Sequence, residues 1–133
     1  MLRVWLLSLV LGFPLLAWAE GEAPVGPQIQ YIYFEPAFVV NYGSTGRIKF
    51  LRTDVALKVS SVDAAEKVSH HKPYIRNNLV MLFSAQEPEV MNSSQGRENL
   101  RRTALDEVRA LMTQLEGLPC VDEVYFNNFV VQN

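Results

Sequence analysis

Apolar residues along the chain fall into runs of different period, and each period predicts a different element. Residues 4–19, VWLLSLVLGFPLLAWA, are apolar almost without interruption behind a single charge at Arg3. A basic start, an apolar stretch and then Ala17-Trp18-Ala19 make the pattern that signal peptidase reads. The run is shorter than the ~20 residues a spanning helix needs, and Pro14 would kink it. Residues 1–19 are therefore expected to be a signal peptide. The alternative is an inner-membrane anchor, single-pass through residues 4–19, with Arg3 on the cytoplasmic side. Either way the remainder is exported. Residues 20–30, EGEAPVGPQIQ, hold two Pro, two Gly and no period, so they read as a linker.

From Tyr31 to Tyr42 the chain is aromatic and β-branched, which favours strand. Pro36 cannot donate to a ladder and marks an edge or bulge there. After the turn cluster at 41–46, a second strand is expected over residues 47–60. Leu51, Thr53, Val55, Leu57 and Val59 share one face; Arg52, Asp54 and Lys58 share the other. Ile48 and Phe50 have the polar parity, which predicts a bulge or twist near Leu51. The period then changes to helical. Asp63 is a candidate cap for a first short helix. Pro73 opens a second, with Ile75, Leu79, Leu82 and Phe83 on one stripe, and Glu87-Pro88-Glu89 breaks it. A longer helix starts near 92–94 and carries Leu100, Ala104, Val108, Leu111 and Leu115, backed by Leu105 and Met112. Glu98 and Arg102 form an i,i+4 pair, and Gly117 and Pro119 stop the helix. The last strand, VDEVYFNNFVV, changes parity around Asn127-Asn128. The expected fold is α+β: a small, largely antiparallel sheet with two short helices and one long one.

Composition narrows the function. The formal charge is −2, with 12 Lys+Arg against 14 Asp+Glu; leaving out Arg3 with the first 19 residues takes it to −3. A nucleic-acid binder should show a basic surplus. The single cysteine excludes a disulfide framework within one chain and any all-Cys or Cys₂His₂ metal site.

Candidate chemistry is sparse. His70 and His71 are adjacent, so on a helix they diverge by about 100°, whereas chelation needs i,i+4 spacing. An exposed helix end explains them. Cys120 lacks the local signature of a nucleophile and reads as a small buried hydrophobe. Glu87, Glu89, Asp122 and Glu123 form no acid/base pair, and no phosphate-binding loop is present. Asn92-Ser93-Ser94 fits a glycosylation sequon and a helix cap equally well. Arg97, Arg101 and Arg102 are interleaved with Glu98, Asp106 and Glu107, the pattern of a solvated helix face. The expectation is a non-enzyme with no catalytic residue, cofactor, metal or small-molecule substrate.

Five strings, in order, resemble the flagellar basal body-associated FliL family: YIYFEPAFVVNY, RIKFLRTDVALKV, PYIRNNLVMLFSAQ, SSQGRENLRRTALDEVRALM and VDEVYFNNFVVQ. They span residues 31–132. The resemblance implies a stomatin/SPFH-like periplasmic domain over residues 31–133. It also implies a non-enzymatic accessory of the bacterial flagellar motor, at the basal body. Such a protein would form a homo-oligomeric ring around the plug and linker region of the stator subunit, associated with the inner membrane. It would support the active, torque-generating stator in swimming and swarming. Two features depart from the family: a cleavable signal in place of a full transmembrane helix, and Asn77 where Ile-Arg-Asp is usual. Candidate partner or oligomer contacts are Tyr31, Tyr33, Phe34, Phe38, Arg76, Arg97, Arg101, Tyr125 and Phe129, each of which ordinary core or edge packing would also explain. The competing reading is an exported cell-envelope binding module that shares only the fold.

Overall fold

A computed structural model describes residues 28–132. The expected signal or anchor and most of the linker lie outside the described residues. The elements are β1 (Gln30–Tyr33), β2 (Phe38–Tyr42), β3 (Lys49–Val59), α1 (Val62–His70), α2 (Lys72–Ser84), α3 (Pro88–Met91), α4 (Ser94–Glu116) and β4 (Glu123–Gln132).

All strand pairs are antiparallel, and β3 is the centre of the sheet. β1 and β2 lie end to end along one edge of it. Tyr33 faces Ala56 and Phe38 faces Thr53, so residues 34–37 stand against only two residues of β3. The Glu35–Pro36 bond in that gap is cis, and Pro36 is where an edge or bulge was expected; the ladder is interrupted there instead.

β4 covers the other edge, from Lys58–Glu123 to Phe50–Gln132. Its register shifts between Arg52 and Asp54, and Asn128 takes the extra residue at φ 51°. Asn tolerates that left-handed conformation better than most residues. The bulge at the expected Asn pair therefore keeps Phe129 and Val131 on the same side as Val124 and Phe126. No bulge occurs in β3 at Leu51. Its parity is continuous: Leu51, Thr53, Val55, Leu57 and Val59 are buried, while Ile48, Phe50 and Arg52 are exposed. The two apolar residues stand on the outer face.

The helices pack on the inner face. α1 is capped by Ser61, whose Oγ accepts from the Ala64 N–H at 3.0 Å. Asp63 instead sits in the first turn and pairs with Lys67 at 2.9 Å. In α2 the predicted stripe, Ile75, Leu79, Leu82 and Phe83, is buried. The predicted break holds one helical turn, α3, with Pro88 in its first turn, where a missing N–H costs nothing. Ser93 caps α4, and Gly117 ends it at φ 78°. The buried line of α4 is Leu100, Ala104, Val108 and Met112, with Leu111 half-buried and Leu115 exposed. That line follows the i±4 ridge which seats a helix in a groove, so Met112 replaces the expected Leu111–Leu115 continuation. The core centres on Phe38, Phe83 and Phe126, with Phe83 edge-on to both at 5.6 and 5.4 Å.

Candidate interaction surface

The outer face of the sheet is left bare by the described helices. At its middle, Ala56 is flanked on β1 by Tyr33 and on β4 by Tyr125. Both rings are well exposed, as is Tyr31, at 59%, 37% and 48% respectively, yet Ala56 beneath them is only 3% exposed. With Asn127 they enclose a shallow depression of about 360 Å³. The Tyr31 and Tyr125 rings touch at a tilt, 6.2 Å apart. Alternation places the tyrosines on this face. Ala56 is the residue the sequence left unassigned, and its one signal was a small residue among charged ones.

Round the β4 edge, Arg101 ties α4 to the sheet. It holds Glu98 through two hydrogen bonds at 2.9 and 2.7 Å, and donates to Glu123 at 2.8 Å and to the Val124 carbonyl at 3.3 Å. A planar guanidinium suits such bidentate contact. Arg101 is thus engaged, not part of a free solvated face, and Glu98 pairs more closely with it than with Arg102 at 3.4 Å. The hydrogen bonds it donates to Glu98 raise the Arg101 pKa against the cost of burial, with the bond to Glu123 adding to the effect. In turn the Arg101 hydrogen bonds hold the Glu98 carboxyl below its ordinary value of 4.5. A carboxylate with a depressed folded-state pKa stabilises the fold above its unfolded value, and that contribution disappears as pH falls through the folded one. Stability should therefore drop on acidification below about pH 4.5. In Glu98→Gln the acid limb of a pH series of urea midpoints should be shallower; an unchanged limb would show that the pair contributes nothing.

Arg97, one turn before, stacks over Phe129 at 5.5 Å. Arg97, Arg101, Tyr125 and Phe129 line a groove between α4 and β4. The structure thus brings four of the nine candidate contacts together there, and Tyr31 and Tyr33 join Tyr125 round the edge. The other three lie apart. Phe34 and Phe38 are 3% and 0% exposed and belong to the core; each is on the buried parity of the kinked first strand, so neither can face a partner. Arg76 lies over the Phe38 ring at 4.3 Å and donates to the Ala37 carbonyl at 3.2 Å. It braces the kink.

The remaining candidates are structural. His71 is half-buried rather than an exposed helix end. It separates α1 from α2, and its Nε2 lies 2.7 Å from Glu116 at the end of α4. Cys120 is half-buried at φ 59°, and burial pushes its thiol pKa up, away from nucleophilic activation. Among the described residues no group of three or more His, Cys, Asp or Glu is placed to hold a metal ion, and no helix is long and apolar enough to cross a membrane.

The family model described as flagellar basal body-associated protein FliL matches residues 31–132, from β1 to the end of β4. The chain is similar to the flagellar protein FliL of Aquifex aeolicus strain VF5, at 26% identity over 107 residues, covering 80% of this chain and 64% of that one. It is also similar to FliL of Escherichia coli K12, at 28% over 68 residues, covering 51% of this chain and 43% of the relative. The chain thus spans less than two thirds of the length of these relatives.

Proposed function

Because the chain belongs to the FliL family of flagellar basal body-associated proteins, we propose that it is a non-enzymatic accessory of the bacterial flagellar motor. The observation that carries this reading is a family match running across every described strand and helix. On this reading residues 1–19 are a signal peptide or inner-membrane anchor, residues 20–30 a linker, and residues 31–133 a stomatin/SPFH-like domain in the periplasm. The domain oligomerises and associates with the plug and linker region of the stator, favouring its torque-generating state.

The groove formed by Arg97, Arg101, Tyr125 and Phe129 supports a docking role for the α4–β4 corner. It combines two arginines and aromatic rings, the residue types enriched at interfaces. It also adjoins β4, an edge strand whose outward backbone groups can receive an extended partner. A deletion strain should swarm poorly and recruit fewer fluorescent stator units to its motors. Normal swarming together with normal stator recruitment would remove the motor reading.

A further inference from the structure

Along β3, Phe50, Arg52, Asp54 and Ala56 alternate onto the outer face of the sheet, and they stand symmetrically about Thr53. A half-turn about an axis in the plane of this face, at right angles to β3 and level with Thr53, has a simple result. It sets position 52 of one copy against position 54 of another, and position 50 against position 56. Both pairings are complementary. Arg52 is exposed between the exposed Val39 and Val130, with no ion pair among the described residues. Asp54 is half-buried, has no ion pair there either, and accepts from Asn128 at 3.0 Å through one oxygen. Phe50 is an exposed ring between two polar neighbours, Asn41 and Gln132. Ala56 is the floor of the depression walled by Tyr33 and Tyr125.

We infer that the outer face of the sheet receives a second copy of this chain, face to face across that two-fold axis. Phe50 of each copy enters the tyrosine depression of the other, and Arg52 of each pairs with Asp54 of the other. The surface is complementary to itself, which is the condition for an isologous contact: every interaction is made twice. One copy's unpaired arginine meets the other's unpaired carboxylate, and a ring enters a recess with aromatic walls. At the rim Lys58 falls against the exposed Ile48, where its stem can lie on the apolar side chain and its charge stay in water.

The geometry of packed sheets allows this register. Two sheets stack about 10 Å apart, with strand directions within about 30°. Phe50 lies three residues from the axis, roughly 10 Å. A crossing angle of that size moves its ring sideways by about one strand spacing, roughly 5 Å. That brings it against one tyrosine wall of the depression and not beyond, because Tyr33 and Tyr125 stand on the two strands that flank β3. The area agrees with a real but reversible contact. With β1 and β2 sharing one edge, the face is three strands wide. It is roughly 14 Å across and roughly 33 Å long from residue 48 to residue 58. Two such faces cover on the order of 900 Å², the size of weak, transient interfaces.

This pair closes on itself and uses the sheet face, not the α4–β4 groove, so it stands whether or not the motor reading holds. The test is photocrosslinking in the whole chain, produced in bacterial cells with p-benzoylphenylalanine in place of Phe50. Within one chain residue 50 is roughly 20 Å from residue 56 along the strand, so a link between those positions must join two copies. Expected products run at dimer mass and join residue 50 to residues 31–33, 54–58 or 123–127. Arg52→Glu should lower their yield about tenfold, because it sets like charges against each other twice, and Asp54→Arg should do the same. The two substitutions together restore opposite charges across the axis and should recover most of the yield. A variant that merely failed to fold would not be rescued by the second change. Links from residue 50 to residue 50, to another part of a second copy or to another protein would overturn the inference. So would the absence of dimer-mass products, or a double variant no better than either single one.

Discussion

Phe38→Ala should destabilise the domain by about 3–5 kcal/mol, the range for emptying a fully buried aromatic site. Typical domains have only about 5–15 kcal/mol in total, so the variant should approach the folding threshold. The cost is high because Phe38 is completely buried, and a cavity left in a packed core adds to the burial that is lost. Its ring contacts Phe34 at 5.9 Å and Phe83 edge-on at 5.6 Å, and carries the Arg76 guanidinium on its face at 4.3 Å. Removing it unseats the kink between β1 and β2 as well as the α2 contact. Urea unfolding would show a lowered midpoint at unchanged slope. A loss under 1 kcal/mol would mean that the kinked strand does not pack as described. Tyr33→Ala, on the exposed face, is the control and should change stability by less than about 0.5 kcal/mol.

Gly96→Ala should also destabilise, and here the sign carries the information. In an exposed helix interior, alanine is favoured over glycine by about 1 kcal/mol. At Gly96 an added Cβ would lie 2.3 Å from the Val90 carbonyl oxygen and 2.8 Å from the Val90 Cα, both backbone atoms of α3. It would also meet the Ser93 Oγ at 2.7 Å, the oxygen that caps α4 by accepting from the Gly96 N–H. Either α3 must move off α4, or the first turn of α4 must give up its cap. Overpacking of this kind costs about 1–3 kcal/mol, which outweighs the helix-propensity gain. Thermal unfolding should therefore occur at a lower temperature in the variant. A rise would show that α3 is free to retreat.

The order of elements was legible because the sequence changes period where the chain changes element. Alternation over 51–59 placed the buried face of β3 residue by residue, and Pro36, Pro73, Ser93 and Gly117 each mark a boundary through a local backbone property. What was not legible depends on contacts between distant segments. Burial of Phe34 and Phe38 follows from α2 lying against β2, and aromatic composition alone does not distinguish a core ring from an exposed one. The exposed tyrosines and the buried phenylalanines of the first strand belong to one aromatic run, and only parity separates them. Arg101 looked like one member of a charged face because its decisive partner, Glu123, arrives 22 residues later on β4. His71 likewise gains its role from Glu116, 45 residues on. For the candidate surface, sequence nominated the tyrosines that the fold gathers on the outer face, together with Arg97 and Arg101, but not Ala56, which is small where β1 and β4 bring rings to either side of β3.

The central strand has a consequence for the timing of folding. Thr53 of β3 donates to the Asn127 carbonyl on β4, 74 residues further along the chain, and all four described helices are made between these two strands. During synthesis, one side of β3 must stay unpaired until β4 has followed, and closing so long a loop slows assembly of the sheet. For a domain that crosses a membrane before folding, as proposed for this one, that delay is useful: the nascent chain remains threadable through a translocation pore while its sheet is incomplete. The same interval leaves an open strand edge exposed to other chains, so a holding chaperone would act on this protein before β4 docks rather than after.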